Sequence, residues 1–119
     1  MSDATGELDT VLELCRVEHR RIVLAILLKD RRALTLNDLT KEIVRHNHRM
    51  SITDVPSETV SRIHLSVVHQ HVPKLADAKV ITYDRERQLV EPTDRLDGLE
   101  SSLSTIIGLD SDLDILDTG

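Results

Sequence analysis

Apolar residues between positions 8 and 28 fall on two sides of a helix rather than on one. One stripe consists of Leu8, Val11, Leu12, Cys15, Ile22, Val23 and Ile26, and the other of Leu14, Val17, Leu24, Leu27 and Leu28. A single amphipathic helix buries only one such stripe. The segment is therefore predicted either to break into two helices near residues 16–18, or to lie as one helix between its own core and a partner chain. Both alternatives favour oligomerisation.

The next stretch predicts a strand followed by a capped helix. RRALTL, residues 31–36, has the composition of a short extended segment, and Thr35 with Asp38 three residues later resembles a capping box. A helix over about residues 37–46 would bury Leu39, Ile43 and Val44. Residues 47–56 predict a loop, and Ser57 is the expected N-cap of the helix that follows.

Residues 57–78 have the pattern of a long amphipathic helix. At 3.6 residues per turn, one side gathers Val60, Ile63, Val67, Val68, Val72, Leu75 and Ala78, with His64 and His71 among them. The opposite side gathers Arg62, Ser66, His69, Gln70 and Pro73. Because Pro73 has no N–H to donate to the carbonyl of His69, a kink or local break is predicted there.

The remainder of the chain predicts a β-hairpin and a last helix. KVITYD and QLVEP predict two strands joined by the charged turn DRER, and Pro92 ends the second strand. Leucines and isoleucines at helical spacing predict one amphipathic helix from Asp94 to Leu109. The expected organisation is a flexible N-terminus (1–7), a folded domain (8–92), a C-terminal dimerisation helix (93–109) and an acidic mobile tail (110–119).

The composition indicates one domain with an aliphatic core. The chain has 119 residues, no Trp, no Phe and a single Tyr, Tyr83, which argues against aromatic stacking on single-stranded nucleic acid. Cys15 is the only cysteine, so an intrachain disulfide and a multi-cysteine zinc framework are excluded and a buried, inert thiol is expected. The acidic start and the lack of a long apolar run predict a cytoplasmic protein with no membrane partner.

Charge is distributed unevenly along the chain. The net charge is −6, but residues 16–90 carry fourteen Lys and Arg against nine acids, and the acidic excess lies at the two ends. A basic middle segment favours a polyanionic partner. Arg outnumbers Lys eleven to four and Asp outnumbers Glu thirteen to eight, a bias that fits a halophile.

The order of the predicted elements is that of a winged helix-turn-helix, and the predicted fold class is mainly α with a small β-hairpin and an additional C-terminal helix. The strings VEHRRIVLAILL, LTLNDLTKEI and SVVHQHVPKLADAKVITYD also resemble an uncharacterised winged helix-turn-helix family, abundant in haloarchaea, with an HxHxPKLADAGV motif. The resemblance covers about residues 8–91 and implies a transcriptional regulator by analogy of fold. Lys79 stands where that motif has Gly, which implies either a strained left-handed cap or a different helix exit.

Eight residues are candidates for contact with double-stranded DNA. The exposed side of the long helix is expected to read bases in the major groove, the second helix to anchor the backbone, and the hairpin tip to meet phosphate or the minor groove. These candidates are Arg62, Ser66, His69 and Gln70 on the long helix, Lys41 and Arg45 on the second helix, and Arg85 and Arg87 on the hairpin. The alternative for each is a merely solvated polar side chain.

The histidines are not expected to form a metal site. His69 and His71 are two residues apart, so on a helix they point in nearly opposite directions, whereas helical zinc pairs use i, i+4 spacing. The same objection applies to His46 and His48 if they are helical, and an inter-element site using His46, His48 and one other histidine is the less expected alternative. His64 and His71 are instead expected to be core or interface histidines with hydrogen-bond partners, and no cofactor is expected.

Three functions follow from these patterns. The first is a homodimeric, sequence-specific regulator that binds double-stranded DNA. The second is a protein-interaction winged helix within a transcription or signalling assembly that does not contact bases, and the third is a metal- or redox-responsive regulator on the same fold. An enzyme is the least expected class, because the chain has neither a glycine-rich phosphate loop nor a nucleophile motif.

Overall fold

The N-terminal segment forms two helices. The structure is a computed structural model that describes residues 4–48 and 52–109 of the 119-residue chain. Helix α1 spans Ala4–Leu14 and helix α2 spans Glu18–Asp30, so of the two predicted alternatives the break near residues 16–18 is the one observed. Helix α1 begins within the segment expected to be flexible.

Two arginines hold the corner between these helices. The last carbonyl groups of a helix have no partner within it. Arg20, which is buried, donates from Nε to the Leu14 carbonyl at 2.9 Å and from Nη2 to the Glu13 carbonyl at 2.7 Å. Arg21 donates from Nη1 to the Cys15 carbonyl at 2.6 Å. The end of α1 is therefore capped by side chains from the first turn of α2.

Helix α2 is the centre of the core. Every residue from Ile22 to Leu28 is buried, and α2 contacts the third and last helices of the chain and the second hairpin strand. A helix that is apolar on all sides must be covered on all sides. Since this chain supplies that cover itself, the apolar residues on all sides of α2 require no partner chain, whereas Leu8 and Leu12 of α1 remain exposed.

The predicted strand and capped helix are both present. Strand β1 spans Leu34–Thr35 and helix α3 spans Leu36–His48. The Asp38 N–H donates to Thr35 Oγ1 at 3.0 Å, and the Thr35 N–H donates to Asp38 Oδ2 at 3.2 Å. The capping box is thus reciprocal, as predicted, and the three apolar residues predicted on α3, Leu39, Ile43 and Val44, are buried.

The long helix is continuous but not uniformly α-helical. After a 3-10 turn at Ile52–Asp54, helix α4 spans Ser57–Ser66, a π-helical turn spans Val67–His71, and helix α5 spans Val72–Asp77. We call Ser57–Asp77 the long helix. Ser57 is its first residue rather than its N-cap; Pro56 occupies the cap position without a side-chain hydrogen bond, so that prediction was wrong.

The disturbance predicted at Pro73 takes the form of the π turn. The Val72 N–H donates to the carbonyl of Val67, five residues earlier. Pro73 cannot donate to His69, and the helix widens in the turn just before it instead of ending. Such single π turns occur often at functional sites.

Lys79 adopts the strained helix exit. Its φ is 65°, in the left-handed region. The Lys79 N–H donates to Ala76 at 2.9 Å and the Val80 N–H donates to Leu75 at 3.3 Å, the two bonds of a Schellman motif. The long helix therefore ends in a Schellman motif in which Lys79 takes the left-handed position that glycine usually occupies.

The hairpin completes a three-stranded antiparallel sheet. Strand β2 spans Ile81–Asp84 and β3 spans Leu89–Pro92, and the sheet order is β1-β3-β2. Leu34 pairs with Val90, and Tyr83 pairs with the same residue from the other side. The turn at residues 85–88 therefore projects beyond the sheet as a wing.

The C-terminal part forms two helices rather than the single one predicted. Helix α6 spans Asp94–Gly98 and α7 spans Glu100–Gly108, with Leu99 between them. Arg31, at the end of α2, forms ion pairs with Asp97 and with Glu100, which fixes the α6–α7 junction. The apolar face of α7 packs on α1 and α2 of the same chain. The predicted acidic tail, 110–119, lies outside the described residues.

Candidate nucleic-acid interface

The predicted reading face of the long helix lies on the surface. Exposed side chains recur at about every fourth position, and buried ones do the same on the other side at Ile63, Val67, His71 and Leu75. Both stripes keep this wide spacing because the π turn adds one residue to a turn. We define the outward ridge as Arg62, Leu65, Ser66, His69, Gln70 and Pro73; all are exposed except Ser66, which is half-buried.

A groove lies on each side of the outward ridge. The α3-side groove, of about 400 Å³, is lined by Asn37, Thr40, Lys41, Val60, Ser61, His64 and Leu65. The hairpin-side groove, of about 450 Å³, is lined by Val68, His69, Val72, Pro73, Ala76, Tyr83 and Arg85. Each groove thus has one cationic side chain, Lys41 in the first and Arg85 in the second.

The predicted cations divide into paired and unpaired ones. Arg45 Nη2 lies 3.0 Å from Glu42 Oε2, and Arg87 Nε lies 3.6 Å from Asp84 Oδ2. Within residues 4–48 and 52–109, no carboxylate lies within ion-pair distance of Lys41, Arg62 or Arg85. The unpaired set therefore consists of one residue in each groove and one on the ridge, and unpaired cations on one surface attract anions.

The wing turn is locally ordered by Asp84. Its Oδ1 accepts hydrogen bonds from the Glu86 N–H at 3.0 Å and the Arg87 N–H at 3.2 Å. An aspartate that accepts from the backbone two and three residues later stabilises a tight turn. Asp84 therefore fixes the wing and neutralises Arg87, and leaves Arg85 as its available cation.

Leu65 belongs to this surface and was not among the candidates. Its side chain is 55% exposed, on the ridge between Arg62 and His69. Helical periodicity places it near the edge of the polar side of the long helix. A leucine at that edge, between Arg62 and His69, was the signal in the sequence that would have identified it.

The two apolar-side histidines are held differently. The Thr40 hydroxyl donates to the Leu36 carbonyl at 2.9 Å and lies 3.1 Å from His64 Nδ1. Since that hydroxyl has one proton, His64 donates from Nδ1 to Thr40 Oγ1. His64 is therefore a partnered, half-buried histidine, as predicted.

His71 is buried without the hydrogen bond expected at Nδ1. This atom has no partner within the described part of the chain. Burial, together with smaller contributions from repulsion by Arg20 and His19, lowers the pKa of His71 to about 4. His71 is consequently neutral at pH 7.

Cys15 is buried, as predicted. Burial raises the pKa of its thiol to about 11, so it is protonated and unreactive at neutral pH. Among the described side chains, no group of three His, Cys, Asp or Glu residues is arranged to hold a metal ion.

No described helix combines the length and apolar character needed to cross a bilayer.

The order and pairing of the elements define the fold class of this protein. A helix, a short strand, a helix, a long exposed helix and a hairpin whose second strand pairs with the first strand are the elements of a winged helix-turn-helix, here with additional helices at both ends. Residues 12–91 match the family model described as Domain of unknown function (DUF7344), and the chain belongs to this family. Searches of curated proteins and of solved structures found no match.

Proposed function

We propose that this protein is a non-catalytic regulator that binds double-stranded DNA with sequence preference as a homodimer. The observation that carries the proposal is the outward ridge lying between two grooves, each of which contains an unpaired cation. Lys41 and Arg85 supply the cations of the grooves, and Arg62 supplies that of the ridge.

The dimensions of this surface suit a duplex. The major groove of B-DNA is about 12 Å wide, and a helix with its side chains is about 10–12 Å across. With the ridge in the major groove, the two phosphate rows that border it would enter the grooves on either side. Lys41 and Arg85 would then lie against opposite backbones, where they position the protein without reading sequence.

The ridge itself carries the groups that distinguish bases. Arg62 has the fork of donors that matches guanine, and Gln70 has the donor and acceptor that match adenine. His69 lines the hairpin-side groove, next to the wing. Arg45 and Arg87 are already paired with carboxylates, so we assign them a lesser part in binding.

A dimer is favoured by apolar side chains on α1. Leu8 and Leu12 are 49% and 47% exposed and lie one turn apart on the same helix. Such a stripe next to the packed α1–α7 contact is suited to a second copy of the chain. The apolar face of α7 packs on α1 and α2 of the same chain. We therefore propose α1, rather than the C-terminal helix, as the centre of the dimer interface. Two long helices related by a two-fold axis would read successive half-sites.

The test is selection of bound duplexes from a random DNA pool with the full-length chain. The Arg-rich and Asp-rich composition favours a halophilic archaeal host, so selection is run at both low and molar salt. The proposal expects an enriched motif with two-fold symmetry, and a mass of two chains by analytical ultracentrifugation. Retention of duplex without any enriched motif would overturn sequence recognition, and no retention at any salt would favour a module that contacts only proteins.

A further inference from the structure

We infer that Leu65 contacts the C5 methyl group of a thymine, so that the recognised site has thymine at a fixed position in each half. This inference rests on the proposed function and names a base that the site must contain. It concerns a residue of the outward ridge that carries no charge and no hydrogen-bonding group.

Leu65 is distinguished from the other exposed apolar residues by its place. Of the large apolar side chains exposed in residues 6–46 and 53–109, Leu8 and Leu12 lie on α1 and Leu109 follows α7. Leu65 is the one on the long helix. Its neighbours on the exposed surface, Arg62 one turn before and His69 one turn after, are both polar. No apolar patch surrounds it that a folded protein partner would need, since such a partner buries about 800 Å² on each side.

The residues around Leu65 are suited to a ligand that presents a small apolar group next to a negative charge. Val60 lies beside it in the α3-side groove, and Lys41 lines the same groove without an ion-pair partner among the described residues. In the major groove, the apolar group presented at a base edge is the thymine methyl, and phosphate rows run on both sides of it. Leu65 and Val60 would cover the methyl while Lys41 meets the adjacent phosphate.

The test removes that methyl and nothing else. In the duplex obtained by selection, each thymine is replaced in turn by deoxyuridine, which keeps every hydrogen-bonding group. For the unaltered protein we expect one position in each half-site at which the replacement weakens binding about fourfold, the effect of one buried methyl group. Leu65→Ala should bind the thymine and deoxyuridine duplexes equally, and Leu65→Met should retain the discrimination.

The control is Leu109→Ala, which removes an exposed leucine that follows α7 and lies on neither the outward ridge nor α1; it should leave the thymine-to-deoxyuridine ratio unchanged. Thermal unfolding of each variant checks that the fold is kept. An enriched motif without thymine, or discrimination that persists in Leu65→Ala, overturns this inference and leaves the proposed function standing. The absence of any enriched motif overturns the proposed function instead.

Discussion

The ring of His19 meets the ring of His71 edge to face, with ring centroids 6.0 Å apart and ring planes at 79°. His71 is 1% exposed, and Arg20, one residue after His19, is the nearby cation that opposes its protonation. A buried imidazole that contacts a second imidazole and feels the charge of a nearby guanidinium is favoured in its neutral form.

Acid should therefore destabilise the fold through His71. Its pKa is about 4 in the folded protein and about 6.5 in the unfolded chain, so between these values the unfolded state binds the additional proton. Stability from this residue is complete above pH 6.5 and falls as the pH decreases toward 4. The free energy of unfolding should drop by about 1.5 kcal/mol between pH 6.5 and 5 on this account alone, measured by urea denaturation.

His71→Leu removes the titrating group and should flatten this part of the pH profile. His69→Leu, at an exposed position two residues earlier, is the matched control and should leave the profile as it is. A profile that is equally steep in His71→Leu would contradict the assignment.

Arg20 should contribute much more to stability than its surface counterparts. Arg20→Met removes two hydrogen bonds from a charged donor to the end of α1 and leaves the Glu13 and Leu14 carbonyls without those partners. We expect a loss of roughly 3 kcal/mol, since charged hydrogen bonds contribute about 1.5–3 kcal/mol each and methionine restores part of the packing. Arg32→Met, at a side chain that is 64% exposed, should change the free energy of unfolding by less than about 0.5 kcal/mol.

Lys79→Gly should stabilise the protein. Lysine in the left-handed region costs about 1 kcal/mol relative to glycine, and part of that gain is offset because glycine makes the unfolded chain more flexible. The net increase in the free energy of unfolding should be about 0.5 kcal/mol. Lys79→Ala removes the same side chain but keeps the conformational cost, so it should give no increase; equal gains from both would point to the side chain rather than the backbone.

The regular parts of this fold could be predicted because local interactions decide them. The capping box of Thr35 and Asp38, the strand ended by Pro92 and the alternation of buried positions on the long helix depend on neighbours in sequence. The break at Leu99 and the loss of a cap at Ser57 were not predicted. The break at Leu99 lies between Asp97 and Glu100, the two ion-pair partners of Arg31, and Arg31 is far from both in sequence. At the start of the long helix, Pro56 occupies the cap position that was predicted for Ser57.

Which side of the long helix is exposed could be predicted from the sequence, but the spacing of that side and the pairing of the wing arginines could not. Exposure of Arg62, His69 and Gln70 follows from helical periodicity. The π turn sets the spacing of the ridge and is formed by a hydrogen bond from Val72 to the carbonyl five residues earlier instead of four. Only Pro73 indicated a disturbance there, and it did not indicate which form the disturbance takes. Likewise, sequence cannot separate Arg85 from Arg87, because only the folded turn shows which of them Asp84 pairs with.

Arg62 and Arg85 should differ in how their removal affects binding to DNA. Arg62 lies on the ridge, so Arg62→Ala should reduce discrimination at one base pair by about 1–3 kcal/mol and leave other positions unchanged. Arg85 lies in the hairpin-side groove, so Arg85→Ala should weaken binding to all sequences alike and reduce the slope of log K against log salt concentration by about 0.9. Fluorescence anisotropy with the selected duplex and its single-position variants, over a salt series, measures both effects.

Two matched arginines serve as controls for this pair. Arg87→Ala removes a cation already paired with Asp84 and should lower affinity less than Arg85→Ala does. Arg32 precedes β1, whose register places it toward the Pro92 end of the sheet and away from the wing turn, so Arg32→Ala should leave affinity unchanged. An equal loss on every sequence for Arg62→Ala would show that it contacts phosphate instead of a base, and equal effects of all four substitutions would mean that binding follows net charge and not this surface.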